Sequence, residues 1–130
     1  MGLPAFNMDE DYILRISQEG ITRKEFYNIV KATGLSLYEL SELTHITPRT
    51  VQRKKDSERI SPDVSERAIF IENIFKMGTV VFNTRDKFLE WINTDNPSLK
   101  GNKPKELFRS FAGIKLVEEL LGRINYGLYS

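Results

Sequence analysis

The residues that most constrain this chain lie near its middle, where positions 37–55 read LYELSELTHITPRTVQRKK. The segment suits two short helices around a tight corner. Leu40, Ile46 and Val51 supply an apolar interior, and Ser41 is small enough to let the two helices approach. Thr47 followed by Pro48 is a helix start: a side-chain oxygen to cap free amides, then a residue with φ already set and no N–H to leave unpaired. The second helix then carries Arg49, Thr50, Gln52, Arg53, Lys54 and Lys55 around one apolar residue, Val51. A short helix, a turn and a second helix rich in cationic and hydrogen-bonding side chains is the sequence form of a helix-turn-helix that enters a DNA major groove. The alternative is an ordinary helical hairpin with a solvated basic face. The corner holds His45 where glycine is common, although histidine tolerates positive φ better than most residues.

Charge decides where any DNA affinity must come from. The net charge is only +1 over 130 residues, so the chain is not basic throughout. The binding charge has to be local, and residues 49–59 are the best patch, with five cations against Asp56 and Glu58. The apolar share of 40% supports a packed interior, in one domain or two small ones sharing a core. Cysteine is absent, which excludes disulfides, thiol chemistry and thiolate metal sites and fits a cytoplasmic location. No apolar run reaches membrane-spanning length, and residues 1–12 lack a basic-then-apolar signal pattern. A soluble protein with no membrane partner is expected.

Around the central motif the chain is punctuated by start and stop signals. The acidic run Asp9, Glu10, Asp11 and the apolar Tyr12, Ile13, Leu14 and Ile16 suit a short helix or an extended arm, residues 1–21. Thr22 and Glu25 form a capping box, as do Ser36 and Glu39, and Gly34 closes the helix between them. With the second half of the central motif this gives three helices within residues 22–59, the minimal scaffold for a helix-turn-helix. Ser61-Pro62-Asp63 opens a further helix, apolar over much of its circumference and so buried on two sides, which Gly78 is expected to end. Residues 79–83 then form a connector. Thr84 caps a helix over 85–93 with Phe88, Leu89, Trp91 and Ile92 inward; Pro104 starts a brief helix, and a last one runs from about 114 to 125 with Val117, Leu120, Leu121 and Ile124 on its apolar face. No strand is expected, so the class is all-α.

Catalysis is not expected. The chain has one histidine, His45, at the corner of the motif, and no glycine-rich phosphate loop or metal-ligand cluster, so neither a cofactor nor a metal is implied. Glu118 and Glu119 face different sides of a helix and do not converge as a catalytic pair.

The second half of the chain resembles the toxin-binding domain of the Xre/MbcA/ParS antitoxins. The residues that carry the likeness are Phe88-Leu89 with Trp91-Ile92, Asn96-Pro97 with Leu99, Gly101, Pro104 with Glu106-Leu107, Gly113, and the run from Val117 and Glu118 through Leu120-Leu121-Gly122-Arg123-Ile124 to Tyr126-Gly127-Leu128-Tyr129. The helix-turn-helix and Ile60-Ser61-Pro62 with Ser65-Glu66-Arg67 resemble the amino-terminal half of the same family. Lys103, where a capping residue would stand before Pro104, and the turn Arg109-Ser110-Phe111-Ala112 depart from the pattern. The resemblance implies a type II antitoxin that inhibits a RES-domain toxin, an enzyme that depletes NAD. It also implies a homodimer or higher assembly through the carboxy-terminal half, the carboxy-terminal end at the toxin's active-site cleft, and repression of its own operon at operator DNA. A plain helix-turn-helix regulator whose second half only dimerises is the alternative. The implied division is an arm over 1–21, a DNA-binding domain over 22–59 and a toxin-binding and dimerisation domain over 60–130.

Individual residues can be assigned within that frame. Arg49, Gln52 and Arg53 are candidates for base edges, because Arg matches guanine and Gln matches adenine bidentately. Thr47, Thr50, Lys54 and Lys55 suit phosphates, which position the helix without reading sequence. Arg123, Tyr126, Leu128 and Tyr129 lie at and beyond a helix end, where large side chains have little core left to enter. Arginine and aromatics anchor interfaces, though these could equally fold back onto the protein or a dimer mate. The resemblance assigns Arg123, Tyr126, Gly127, Leu128, Tyr129 and Ser130 to the toxin contact.

Overall fold

The computed structural model describes residues 9–125 and residue 127. Every regular element among them is helical, as an all-α chain requires. In order these are α1 (Glu10–Glu19), α2 (Arg23–Thr33), α3 (Leu37–Thr44), α4 (Pro48–Arg53), α5 (Pro62–Phe82), α6 (Arg85–Ile92), short 3₁₀ helices at Pro97–Leu99 and Pro104–Arg109, and α7 (Phe111–Asn125). The chain divides into two compact units, with the boundary between Glu72 and Asn73, inside α5.

The first unit starts from local rules. Asp9 caps α1, so the acidic stretch forms a helix and not an extended arm. Both capping boxes close: Thr22 with Glu25 starts α2, and Ser36 with Glu39 starts α3. Each such cap is worth about 1 kcal/mol. Gly34, left-handed at φ 77, ends α2. Packing then takes over. Phe26, Leu40 and Val51 lose all exposure to water, and Ile21, Ile29, Leu43, Ile60, Val64 and Ala68 nearly all of it, each large side chain contributing roughly 1.5–3 kcal/mol. Three of the buried polar residues of this core find partners within it, whereas the buried Ser41 hydroxyl has none among the described residues. Thr33 and Thr44 donate to the carbonyls of Ile29 and Leu40, one turn back.

A clasp joins the two ends of the trihelical segment. Ile60 N–H donates to Ile21 O at 2.8 Å, and Thr22 and Arg59 form an isolated antiparallel bridge. The buried Ser65 hydroxyl accepts from Ile21 N–H at 2.8 Å and reaches Ile60 O at 3.2 Å. Arg59 Nη1 donates to Gly20 O across 39 positions of chain. Gly20 has φ 78, and a Cβ there would lie 1.8 Å from Ile60 O, so only glycine fits where the strands of chain cross.

The second unit is built around rings. Phe75 meets Phe88 edge-on at 5.1 Å between centroids and Phe108 at 6.2 Å; Phe88 stacks near Trp91 at 6.0 Å, and Phe82 packs on Trp91 at 5.3 Å. Ile74, Ile92, Val117 and Leu121 fill the space around them. Two expectations are corrected here. Gly78 does not end α5, which continues through the expected connector to Phe82. Its missing side chain makes room for the Phe88 ring instead, since a Cβ would stand 2.2 Å from ring carbons. The last helix begins at Phe111, three residues before the expected start, because Ser110 Oγ accepts from Gly113 N–H at 3.0 Å and caps it. α6 ends at Ile92, with Asn93 as its cap. Lys103 supplies no side-chain cap before Pro104.

Candidate functional site

The site with the most explicit geometry is α4 and the corner before it. His45 ends α3 in the left-handed conformation, φ 67 and ψ 40, so the residue in the glycine position takes the glycine conformation. Its amide bonds back to Glu42 O, and Ile46 N–H to Ser41 O at 3.0 Å. Thr47 then caps α4 by accepting from Thr50 N–H at 3.2 Å, and the two threonine hydroxyls lie 2.7 Å apart. α4 has six residues. At 3.6 residues per turn, Arg49, Gln52 and Arg53 share one face and Val51 lies opposite. Val51 is fully buried and the other three are exposed. The single apolar anchor therefore fixes which face looks outward. No ion pair joins Arg49 or Arg53 to another described residue, so both guanidinium groups are available for an external partner.

The remaining assigned residues divide. Thr47, Thr50 and Lys55 are exposed, with the threonine hydroxyls engaged with each other. Lys54 is half-buried, and its carbonyl accepts from the Arg23 guanidinium. Glu58 holds the Lys55 amide at 2.7 Å, while Arg23 N–H and Lys24 N–H bond to Glu58 O and Asp56 O. The basic patch read over 49–59 is thus shorter than its sequence. Arg59 is taken up by Gly20 O and by Glu25 at 4.0 Å. Arg67 holds Thr44 O at 3.3 Å, behind the corner. These arginines were not distinguished by sequence, because their partners are 23 or more positions away.

Tyr12 is pushed above its ordinary value of 10.0, first by burial and then by the carboxylates of Glu25 and Glu72.

At the other end of the chain, Arg123 is exposed in the last turn of α7, and Gly127 is exposed with φ 72 and its N–H on Ile124 O at 3.0 Å. Tyr126, Leu128, Tyr129 and Ser130 lie outside the described residues. Val80, Phe111 and Leu116 are exposed apolar residues of the same unit.

The second unit also holds a cleft that sequence reasoning missed. It has a volume of about 540 Å³ and is lined by Phe82, Trp91, Thr94, Asp95, Asn96, Pro97, Ser98 and Leu120. Trp91 packs on Phe82 and Phe88, as an apolar-stripe residue should, yet it is only half-buried and also lines the cleft. Asn96 Oδ1 accepts from Ser98 N–H at 2.9 Å, so Asn96 caps the 3₁₀ turn that Pro97 opens. The cleft depends on Leu120 lying beside residues 94–98, a proximity without any local signal.

Comparison with known proteins agrees with both halves of this description. A model of the antitoxin Xre-like helix-turn-helix domain matches residues 13–72. A model of the antitoxin Xre/MbcA/ParS C-terminal toxin-binding domain matches residues 77–127. No curated protein matches the chain. Among solved structures, a chain of the M. tuberculosis MbcT-MbcA toxin-antitoxin complex is similar at a TM-score of 0.62 and 20% identity, over 83% of this chain and 96% of that one. At that identity the likeness is one of fold. Among the described residues no helix is long and apolar enough to cross a membrane, and no group of carboxylates and histidine could hold a metal ion. With its helix-turn-helix half and its toxin-binding half each matched in order along one sequence, the chain belongs to the Xre/MbcA/ParS antitoxin family.

Proposed function

We propose that this protein is a non-enzymatic, cytoplasmic type II antitoxin with two working surfaces. The observation that carries the reading is the pairing, on one chain, of an outward-facing Arg49–Gln52–Arg53 triplet with a matched toxin-binding domain. Through residues 22–59 it binds operator DNA and represses its own operon. Arg49, Gln52 and Arg53 read base edges, while Thr47, Thr50, Lys54 and Lys55 hold phosphates. A six-residue recognition helix offers few contacts, so specificity requires two copies on two half-sites, and a homodimer formed through residues 60–130 supplies them. Through the same carboxy-terminal domain it binds a RES-domain, NAD-depleting toxin. The end of the chain, from Arg123 through Tyr126, Gly127, Leu128, Tyr129 and Ser130, enters and blocks the toxin's active site. The likeness to a toxin-antitoxin complex supports a protein toxin as the partner.

A growth assay tests this. The neighbouring gene of the operon is expressed alone, with the full chain, and with a chain cut after Gly122. Arrest by the neighbour, rescue by the full chain and failure of a folded truncation are expected. Rescue by the truncation removes the active-site role of the tail. Absence of arrest, with a control toxin working, replaces the reading with a plain transcriptional regulator.

A further inference from the structure

The cleft beside Trp91 has a composition that selects its occupant. Its apolar lining comes from Phe82, Trp91, Pro97 and Leu120. Its polar lining comes from Thr94, Asn96 and Ser98, and Asp95 is the one charged residue among those that line it. Asp95 is exposed and makes no ion pair with another described residue. α6 ends at Ile92, three residues before Asp95, so the negative end of that helix is close to Asp95 along the chain. An aromatic face next to an unneutralised carboxylate and a helix carboxy-terminus attracts a cation and disfavours an anion.

We infer that this cleft is a second docking point for the protein toxin and receives an arginine side chain from it. The choice of arginine follows from shape. A guanidinium is flat enough to lie on Trp91 or Phe82 while its edge makes two parallel hydrogen bonds to the Asp95 carboxylate; an ammonium can do only one of these well. The cleft's volume of about 540 Å³ is several times what one guanidinium fills, which suits a side chain delivered on a segment of protein that covers the rest. The inference rests on the antitoxin reading for its partner, but the cleft chemistry stands by itself and can be tested without a toxin.

The test uses the full chain, whose single tryptophan is Trp91, so its fluorescence reports on the cleft directly. Emission is followed as a capped Gly-Arg-Gly peptide is added, then the same peptide with lysine or glutamine at its centre. A saturable change with the arginine peptide is expected, several-fold weaker with lysine and absent with glutamine. Asp95→Asn should weaken the arginine peptide about tenfold. An equal response to glutamine, an unaffected Asp95→Asn variant or no saturable response overturns the inference. So does a response that emerges only after residues 128–130 are removed, since the cleft would then belong to the chain's own tail. In the complex, Asp95→Lys should weaken toxin binding at least about tenfold while leaving operator binding unchanged; an unchanged toxin affinity overturns the inference. A wild-type chain that binds no toxin overturns the antitoxin reading, and the peptide series tells that failure from a failure of the cleft.

Discussion

The two units of this chain solve the same problem with different forces. In the amino-terminal unit, the described buried polar residues Thr33, Ser41, Thr44 and Ser65 lie within an otherwise mostly aliphatic core, and Arg23, Arg59 and Arg67 tie backbone carbonyls across the unit. In the carboxy-terminal unit, Phe75, Phe82, Phe88, Trp91 and Phe108 form a connected ring cluster. Hydrogen bonds are directional, so they fix where the backbone runs; ring packing is bulky and less directional, so it supplies stability with less control over the path. On the proposed reading, a six-residue helix that presents three side chains to DNA needs the first kind of support, and a unit that binds a protein partner can rest on the second.

The largest test of that contrast is Phe88→Ala. Phe88 is fully buried and touches Phe75, Phe82 and Trp91. Removing it should cost about 3–5 kcal/mol in urea unfolding followed by Trp91 emission. A cost under about 1 kcal/mol would mean that the rings are not the main support of their unit.

A smaller loss is expected from Ser65→Ala, which leaves the Ile21 N–H without its acceptor inside the clasp. The cost should be about 1–3 kcal/mol. Operator affinity measured by fluorescence anisotropy should fall with it, because the path of the chain, and not only its stability, depends on that bond. Full operator affinity in a destabilised variant would show that the clasp serves stability alone.

The smallest effect separates polar from apolar support by pH. Tyr12 is raised above 10.0, so folding favours its neutral phenol. That contribution is complete below the ordinary phenol value and disappears as pH rises through the folded one. Urea midpoints measured from about pH 9 to pH 11 should fall with increasing pH. Tyr12→Phe should remove part of that slope, and an unchanged slope would exclude Tyr12 as its source.

Sequence revealed what short-range chemistry decides. The boxes at Thr22 and Ser36 and the cap at Thr47 each involve residues three apart, so the helix starts and the outward face of α4 could be read directly. His45 was legible as a corner because its left-handed conformation is a local preference. Gly78 was misread because a glycine that ends a helix and one that admits a ring from another helix look the same in sequence. Ser110 held a readable cap signal, masked by a turn that departs from the family pattern. The clasp at Ser65 and the cleft between Trp91 and Leu120 join distant positions and left no local trace. Of the tail assigned to the toxin, Arg123 and Gly127 are described and exposed, and the rest lies outside the described residues.

The clasp has a consequence for how such proteins change. Because Ile21 and Ile60 are bonded side by side, the segment between them leaves the scaffold and returns to it at one place. A segment with adjoining ends can be exchanged as a cassette, including one of different length, without redirecting the chain on either side. On the proposed reading, grafting another trihelical reader between Gly20 and Ser61, with Ser65 retained, should change the operator bound and leave the toxin partner the same.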